Sequence, residues 1–130
     1  VLSGNNSYTG GTLIGPAGSG GVPLIGLGNN TALGTGRVLL NGSGTFRADG
    51  GPRTLANPVA FSNFSAGTLG VTGANDLTLT SPVDFASASV TTAVSGSGVF
   101  ALAGAVSGGG AWTAEGGTTR LTPKWRATSC

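Results

Sequence analysis

Four acidic residues are the main candidates in this chain for acid–base chemistry or metal binding. They are Asp49, Asp76, Asp84 and Glu115, and the chain contains no histidine. Imidazole is the commonest general base and metal ligand, so its absence removes most catalytic triads and most zinc sites. Two acids would still have to lie side by side to hydrolyse a glycosidic bond or to hold calcium.

The positions of these acids argue against such a pair. Asp49 and Asp76 lie near glycines in predicted turns, where aspartate is favoured because it hydrogen-bonds its own backbone. Asp84 falls on the outer face of a predicted strand, and the repeat described below stacks it on Ala60 and Ser107. We therefore predict no catalytic residue, no metal site and no cofactor, and we expect the chain not to be an enzyme.

Arginines and threonines are the remaining polar candidates. Three arginines near predicted strand ends are expected to be solvated and not to form a binding patch: Arg37, Arg47 and Arg53. Thr78 and Thr80 form an outward Thr-x-Thr pair of the kind that orders water on ice-binding solenoids. Their neighbours at the repeat step are mostly alanine, and only Thr54 continues the column. The sequence therefore predicts no threonine ladder.

Composition favours an ordered β-structure built with glycine turns. The 130-residue chain contains 26 glycines, and only 8% of its residues are charged, against about 25% in an ordinary soluble domain. Disorder requires low hydrophobicity and high charge, whereas the mean hydropathy here is +0.25. One ordered domain is the better interpretation of this length and composition.

Charge and cysteine content limit the partners. The net charge of +2 comes from scattered residues without a basic cluster, so we predict no nucleic-acid binding. No run approaches the roughly 18 apolar residues of a membrane span, so we predict no membrane insertion by this segment. Cys130 is the single cysteine and excludes a disulfide framework. Methionine is absent, so we expect residue 1 not to be a translation start and interpret the chain as a fragment or processed product.

A repeat of about 24 residues organises the chain. Residues 55–61 (Leu-Ala-Asn-Pro-Val-Ala-Phe) recur at 79–85 (Leu-Thr-Ser-Pro-Val-Asp-Phe), with a fainter copy at 102–106. A fixed period built from short strands and glycine turns is typical of a solenoid. The predicted inward columns are Leu55/Leu79/Leu102, Val59/Val83/Val106, Phe46/Leu69/Thr92 and Ala48/Val71/Val94.

Local patterns add detail to these columns. Proline is confined to strand edges, starts and bulges, so Pro58 and Pro82 predict a corner of the coil, with Asn57 and Ser81 stacked inside the bend. Further along the chain, Trp112 and Ala114 are expected below Thr92 and Val94, and Leu121 below Leu102. Leu24, Leu33 and Leu40 are expected to face inward.

Three sequence motifs occur in the same order as in a known β-strand repeat. They are Leu-Ser-Gly-Asn-Asn-Ser-Tyr-Thr-Gly-Gly-Thr at 2–12, Asn-Thr-Ala-Leu-Gly-Thr-Gly at 30–36 and Leu-Asn-Gly-Ser-Gly-Thr-Phe at 40–46. Together they resemble the autotransporter-associated β-strand repeat, also called the passenger-associated transport repeat, over residues 2–121. The resemblance implies a secreted or surface-displayed bacterial passenger protein. Its repeat would be a structural stalk that assists export.

Two segments depart from that repeat. Residues 15–21 are longer than the family's turn at this place, and we interpret them as a surface bulge. After residue 122 the next Leu-Ser-Gly phrase is replaced by Pro-Lys-Trp-Arg-Ala-Thr-Ser-Cys. We therefore divide the chain into a β-solenoid repeat segment, residues 1–122, and a non-repeat C-terminal tail, residues 123–130.

These patterns together predict an all-β fold, a right-handed parallel β-helix (β-solenoid) of about five coils. The predicted function is a structural passenger or stalk segment of an autotransporter-like protein, extracellular at the bacterial cell surface and without catalysis of its own. Its expected partners are the neighbouring coils of the parent solenoid. Two alternatives remain: an adhesin surface that binds glycans or further copies, and a non-catalytic part of a β-helix enzyme that acts on polysaccharides.

The ends of the stack carry one more expectation. A solenoid separated from its neighbours exposes unpaired strand edges, and open edges template association. Val1, Leu2 and residues 12–14 form the N-terminal edge, through which we expect self-association. The tail is expected to act as a partial cap, with Trp125 lying on Leu121 or Trp112.

Overall fold

The structure is a computed structural model, and it describes residues 1–15, 23–62, 66–86, 89–108, 110–121 and 126–127. Within these residues the chain forms strands, turns and bends, and no helix. The strands are β1 (Thr12–Ile14), β2 (Leu24–Leu27), β3 (Val38–Leu40), β4 (Gly44–Ala48), β5 (Arg53–Leu55), β6 (Val59–Phe61), β7 (Ala66–Thr72), β8 (Leu77–Leu79), β9 (Val83–Asp84), β10 (Ser89–Leu102), β11 (Val106–Gly108), β12 (Trp112–Leu121) and β13 (Arg126–Ala127).

All strand pairs of the described residues are parallel, and the coils stack into a β-solenoid with three faces. The first face contains β2, β4, β7 and the first half of β10, and the second contains β5, β8 and the second half of β10. The third face contains β1, β3, β6, β9, β11 and β13, in that order. β12 pairs along both halves of β10. The all-β solenoid is confirmed, with about four turns in place of the expected five or so.

The predicted columns on the second and third faces are confirmed. Leu79 pairs with Leu55 above and Leu102 below, and Leu102 pairs with Leu121. Val83 pairs in the same way with Val59 and Val106. Apart from Leu121, which is partly buried, these leucines and valines are almost completely buried. On these two faces each inward residue meets its repeat equivalent in the next coil, so the step of the sequence repeat is the step of the stack.

On the first face, the strand register differs from the prediction by two residues, both in the first coil and in the last. Phe46 pairs with Val71, and Leu69 lies opposite Gly44. In the last coil Trp112 lies below Val90 and Ala114 below Thr92, so both predicted pairings there are wrong. The middle pairings, Leu69 with Thr92 and Val71 with Val94, are confirmed. A shift of two residues leaves every side chain on the same face, so the apolar pattern could not distinguish the two registers.

Leu24, which was predicted to face inward, faces outward. It is 52% exposed, whereas Leu33 and Leu40 are fully buried as predicted. In β2 the side chains that point inward are those of Ile25 and Leu27, which pair with the inward-facing Phe46 and Ala48. The run Leu-Ile-Gly-Leu is apolar on both faces, so it lacks the alternation that specifies facing.

The corner before β6 is held by Asn57. Its side chain is 3% exposed, and its Nδ2 donates to the carbonyl oxygens of Leu33, Gly34 and Gly36 at 3.2, 3.2 and 2.8 Å. The prediction that Asn57 lies inside the bend is confirmed. Ser81, its repeat equivalent, is only half-buried and its hydroxyl donates to the carbonyl of Ala56, so the prediction for Ser81 is wrong. A hydroxyl is shorter than an amide and reaches the nearest carbonyl of the coil above.

Aromatic residues link three coils at the next corner. The rings of Phe61 and Phe85 meet edge to face with centroids 5.6 Å apart. Phe85 and Trp112 are 5.8 Å apart at 61°, a geometry that aromatic pairs prefer. The indole N–H of Trp112 donates to the hydroxyl of the buried Thr92 at 3.1 Å. The buried hydroxyl thereby accepts one hydrogen bond, whereas burial without any partner would be costly.

The two ends of the stack expose different surfaces. The large apolar residues exposed in the described part of the chain all lie near the N-terminus: Val1, Leu2, Tyr8, Leu13 and Leu24. At the other end β12 is mostly exposed along its length. Arg126–Ala127, beyond the predicted boundary at residue 122, adds a strand to the third face by pairing with Ser107 and Gly108. Most of the expected bulge at 15–21, and Trp125, lie outside the described residues.

Candidate functional site

The structure places Asp84 where the sequence predicts it. Its neighbours in the adjacent coils are Ala60 and Ser107, so no second carboxylate joins it there. Its Oδ1 accepts the backbone N–H of Ala86 at 2.8 Å. Ala86 has a positive φ of 54°, which is uncommon for a residue with a Cβ. Asp84 therefore stabilises a strained turn after β9.

Asp49 forms an ion pair that the sequence analysis missed. Arg47 donates to its two carboxylate oxygens, from Nε at 2.8 Å and from Nη2 at 3.2 Å. Arg53 donates to the backbone carbonyl of Asp49 at 2.9 and 2.7 Å. The carboxylate thus binds Arg47, and the expected hydrogen bond to its own backbone is not formed in the described residues. The spacing Arg-x-Asp at the end of a strand was the signal available, since side chains two apart share a face.

The pKa values of this pair follow from the contact. The hydrogen bond from Arg47 is the main cause that holds the pKa of Asp49 below its ordinary value, and the charge of Arg47 acts in the same direction. The pKa of Arg47 is raised for the same reason. Both groups are fixed in their charged forms at neutral pH, which suits a turn clamp and not proton transfer.

The two remaining acids lie on different elements, Asp76 just before β8 and Glu115 on β12. Asp76 accepts the backbone N–H of Val99 from the next coil at 2.9 Å. Glu115 is exposed on β12 beside Ala93. Across the described residues, no three acids, cysteines or histidines come close enough to hold a metal ion.

Hydroxyl groups form a column on the outside of the first face. Thr91 pairs with Thr68 above and Thr113 below, and the Oγ of Ser43 accepts the N–H of Thr68 at 2.9 Å. The column predicted for Thr54 and Thr78 ends at Ala101, as expected. The longer column escaped the sequence analysis because it depends on the register of the first face.

A surface pocket lies beside the start of β1 and β3. Its volume is about 380 Å³, and its walls come from residues 9–13 together with Arg37 and Leu39. Gly36 lets the two turns pack closely, since a Cβ there would meet the backbone of Gly11 and Thr9. Arg37 supplies a cation to this polar pocket.

Comparison with known proteins adds no assignment. No family model matches this chain, and no curated protein or solved structure matches it. Within the described residues, no helix has the length and apolar character needed to cross a membrane. The stacked coils and their outer surface are therefore the basis for assigning a role.

Proposed function

We propose that this chain is a structural stalk segment of a secreted or surface-displayed bacterial passenger protein, with no catalysis of its own. The observation that carries the proposal is the continuous inward stacking of equivalent residues, such as Leu55, Leu79, Leu102 and Leu121. Each coil in such a stack rests only on its neighbours, so adding coils extends the molecule by about 4.8 Å each without a new core.

The surface chemistry is consistent with a spacer. Three of the four acids bind groups that hold turns or adjacent coils: Asp49, Asp84 and Asp76. Stability that grows coil by coil also permits folding to proceed in steps. A segment that folds stepwise after crossing a membrane would resist sliding back, which is how such a stalk would assist export. The resemblance to the autotransporter-associated repeat supports this setting.

An adhesin is the second candidate, favoured by the hydroxyl column on the first face. Ser43, Thr68, Thr91 and Thr113 present hydroxyls at the spacing of parallel strands, about 4.8 Å. Hydroxyls both donate and accept hydrogen bonds, which suits sugar hydroxyls. Glycans on a neighbouring cell are therefore the partners proposed for this face.

The stalk role can be tested by surface display. The chain is placed between an epitope-tagged module and an outer-membrane anchor in a Gram-negative host, and antibody labelling of intact cells is measured. Leu79→Asp puts an unpaired carboxylate at a fully buried position, which costs several kcal/mol. Surface labelling is expected to fall sharply for this variant.

Thr80→Asp is the matched control, one residue away on the exposed side of the coil. It loses the 3.3 Å hydrogen bond from the Thr80 hydroxyl to the Leu55 carbonyl, so it is expected to cost about 1 kcal/mol, less than Leu79→Asp, and to leave labelling close to that of the parent chain. If Leu79→Asp is displayed as well as the parent chain, folding of the coils does not assist export and the stalk role is wrong. If both variants fail equally, the assigned facing is wrong.

A further inference from the structure

The guanidinium of Arg37 lines the pocket beside β1 and β3. Arg37 is exposed, and among the described residues its guanidinium makes no hydrogen bond or ion pair. Arg47 and Arg53, in contrast, are both bound to Asp49. A guanidinium has five N–H donors in a planar fork that matches a carboxylate with two parallel hydrogen bonds. Arg37 therefore offers an anion a charged donor of hydrogen bonds at the pocket wall.

The rest of the pocket suits a sugar ring. Thr9 and Thr12 supply hydroxyls, and Thr12 is held in place by a 2.7 Å hydrogen bond to the hydroxyl of Tyr8. Leu13 and Leu39 pair across adjacent coils and form an apolar strip, with Leu13 63% exposed. Sugars carry hydroxyls at the rim and C–H groups on the ring faces, so both kinds of wall have a counterpart in one ligand.

The turns that form the pocket are built for close approach. Gly11 has a φ of +87°, a conformation that residues with a Cβ rarely adopt. A Cβ on Gly11 would also lie 2.8 Å from the carbonyl oxygen of Arg37. The position of Arg37 relative to Thr12 is thus fixed by backbone packing, and the N–H of Thr12 donates to the Arg37 carbonyl at 2.9 Å. The backbone of this wall is therefore ordered before a ligand binds, which lowers the entropy cost of binding.

We propose that this pocket binds a uronic acid residue of an acidic polysaccharide, with Arg37 on the carboxylate, the threonine hydroxyls on the sugar hydroxyls, and Leu13 and Leu39 against the ring. Its volume of about 380 Å³ lies within the range of small-molecule sites, about 300–1,000 Å³. The site is independent of the stalk role, since it needs only the first turns of the stack. On a displayed stalk it would hold the chain to acidic polysaccharide.

The test compares two ligands that differ only at the charged group. Methyl glucuronide and methyl glucoside are titrated into the isotope-labelled chain, and backbone amide shifts are followed by NMR. The glucuronide is expected to bind with a Kd on the order of 1–10 mM, as for a small exposed site. Its largest shifts are expected at Gly10, Gly11 and Thr12. The glucoside should bind at least about tenfold more weakly, because it cannot use the charge of Arg37.

Matched variants locate the charge. Arg37→Gln is expected to weaken glucuronide binding at least about tenfold. Arg120→Gln removes the same charge from exposed β12, and it should leave the Kd within about twofold. A glutamate dipeptide, blocked at both ends, should bind more weakly than the glucuronide because it lacks the ring.

Several outcomes would overturn the proposal. Absence of saturable shifts with the glucuronide would show that the pocket is not a site. Equal binding of glucoside and glucuronide, or equal weakening by the two arginine variants, would remove Arg37 from it. A dipeptide that binds as tightly as the glucuronide would show that the pocket recognises a carboxylate and not a sugar. The ligand comparison uses the unaltered chain, so it decides the question even if Arg37→Gln does not fold.

Discussion

Replacing Asn57 should destabilise the solenoid more than any other polar substitution at a corner. Its Nδ2 has two hydrogens that serve three carbonyl oxygens of the coil above, those of Leu33, Gly34 and Gly36. Each net hydrogen bond contributes about 1 kcal/mol, and a buried carbonyl left unsatisfied costs about 1–3 kcal/mol. For Asn57→Ala we therefore expect a loss of about 2–4 kcal/mol, a large part of the 5–15 kcal/mol that ordinary domains possess.

Asn57→Asp makes the reasoning sharper because the two side chains have the same shape. The substitution places an acceptor against three acceptors, so at pH 7 it should cost more than the alanine variant. The introduced carboxyl should have a pKa raised above its unfolded value of about 3.9. A group whose folded pKa is raised binds more protons in the native state, so the variant should regain stability as pH falls through that folded pKa. A protonated carboxyl then supplies one donor to the carbonyls.

The assay is urea unfolding followed by far-UV circular dichroism, at pH 7 and at about pH 4.5, just above the unfolded pKa. Ser81→Ala is the matched control at the equivalent corner. Its half-buried hydroxyl donates to one carbonyl, so it should cost about 1 kcal/mol or less. The reasoning fails if Asn57→Ala costs no more than Ser81→Ala. It also fails if Asn57→Asp is no less stable than Asn57→Ala at pH 7.

Three further outcomes follow from the described contacts. Gly98→Ala should lower the free energy of unfolding by about 1–3 kcal/mol in the same urea assay, because the added Cβ would meet the backbone of the preceding coil. Gly10→Ala is the control, since open space surrounds Gly10, and it should be close to neutral. Arg47→Ala should raise the pKa of Asp49 toward its ordinary value in an NMR titration, and an unchanged titration would contradict the ion pair. In the parent chain, the stability that comes from the lowered pKa of Asp49 is present above the unfolded pKa. It is lost as the pH falls through the folded pKa. Removing residues 123–130 deletes β13 and exposes the strand edge of the third face. Oligomerisation, measured by light scattering under reducing conditions, should therefore increase. A truncated chain that stays as monomeric as the full chain would show that the tail does not cap the stack.

The sequence was most informative where the repeat is strictest. Residues 55–61 and 79–85 share leucine, proline, valine and phenylalanine at one step, and the columns of their leucines and valines were predicted correctly. The first face has weaker repeats, and a two-residue shift there keeps every facing, so Phe46 and Trp112 were assigned to the wrong neighbours. Facing could be predicted from periodicity where apolar and polar residues alternate, which they do not around Leu24, whereas register needed the lengths of the turns between strands.

The candidate sites were harder to predict because they depend on contacts across turns. The ion pair of Arg47 and Asp49 involves residues two apart, but only the turn geometry brings Arg53 to the same place. The pocket at Arg37 joins turns about 26 residues apart, in a part of the chain where the repeat is least regular. Glycines at 11 and 36 set that approach, and a glycine-rich sequence does not reveal which of its glycines touch.

The fold and the proposed stalk role both depend on one claim, that residues one repeat apart lie in adjacent coils. Thr54 and Thr78 are in register on the second face, and Ala101 is the next residue of that column. Adjacent strands lie about 4.8 Å apart, within the Cα range of a disulfide, whereas two coils span about 9.6 Å and exceed it.

The direct measurement is disulfide formation between introduced cysteines, in a Cys130→Ser background under mild oxidation. Thr54→Cys with Thr78→Cys should cross-link rapidly in the folded chain. Thr54→Cys with Ala101→Cys should not cross-link unless the chain is first unfolded with urea. Equal cross-linking of the two pairs in the folded chain, or none for the first pair, would contradict the stacked solenoid.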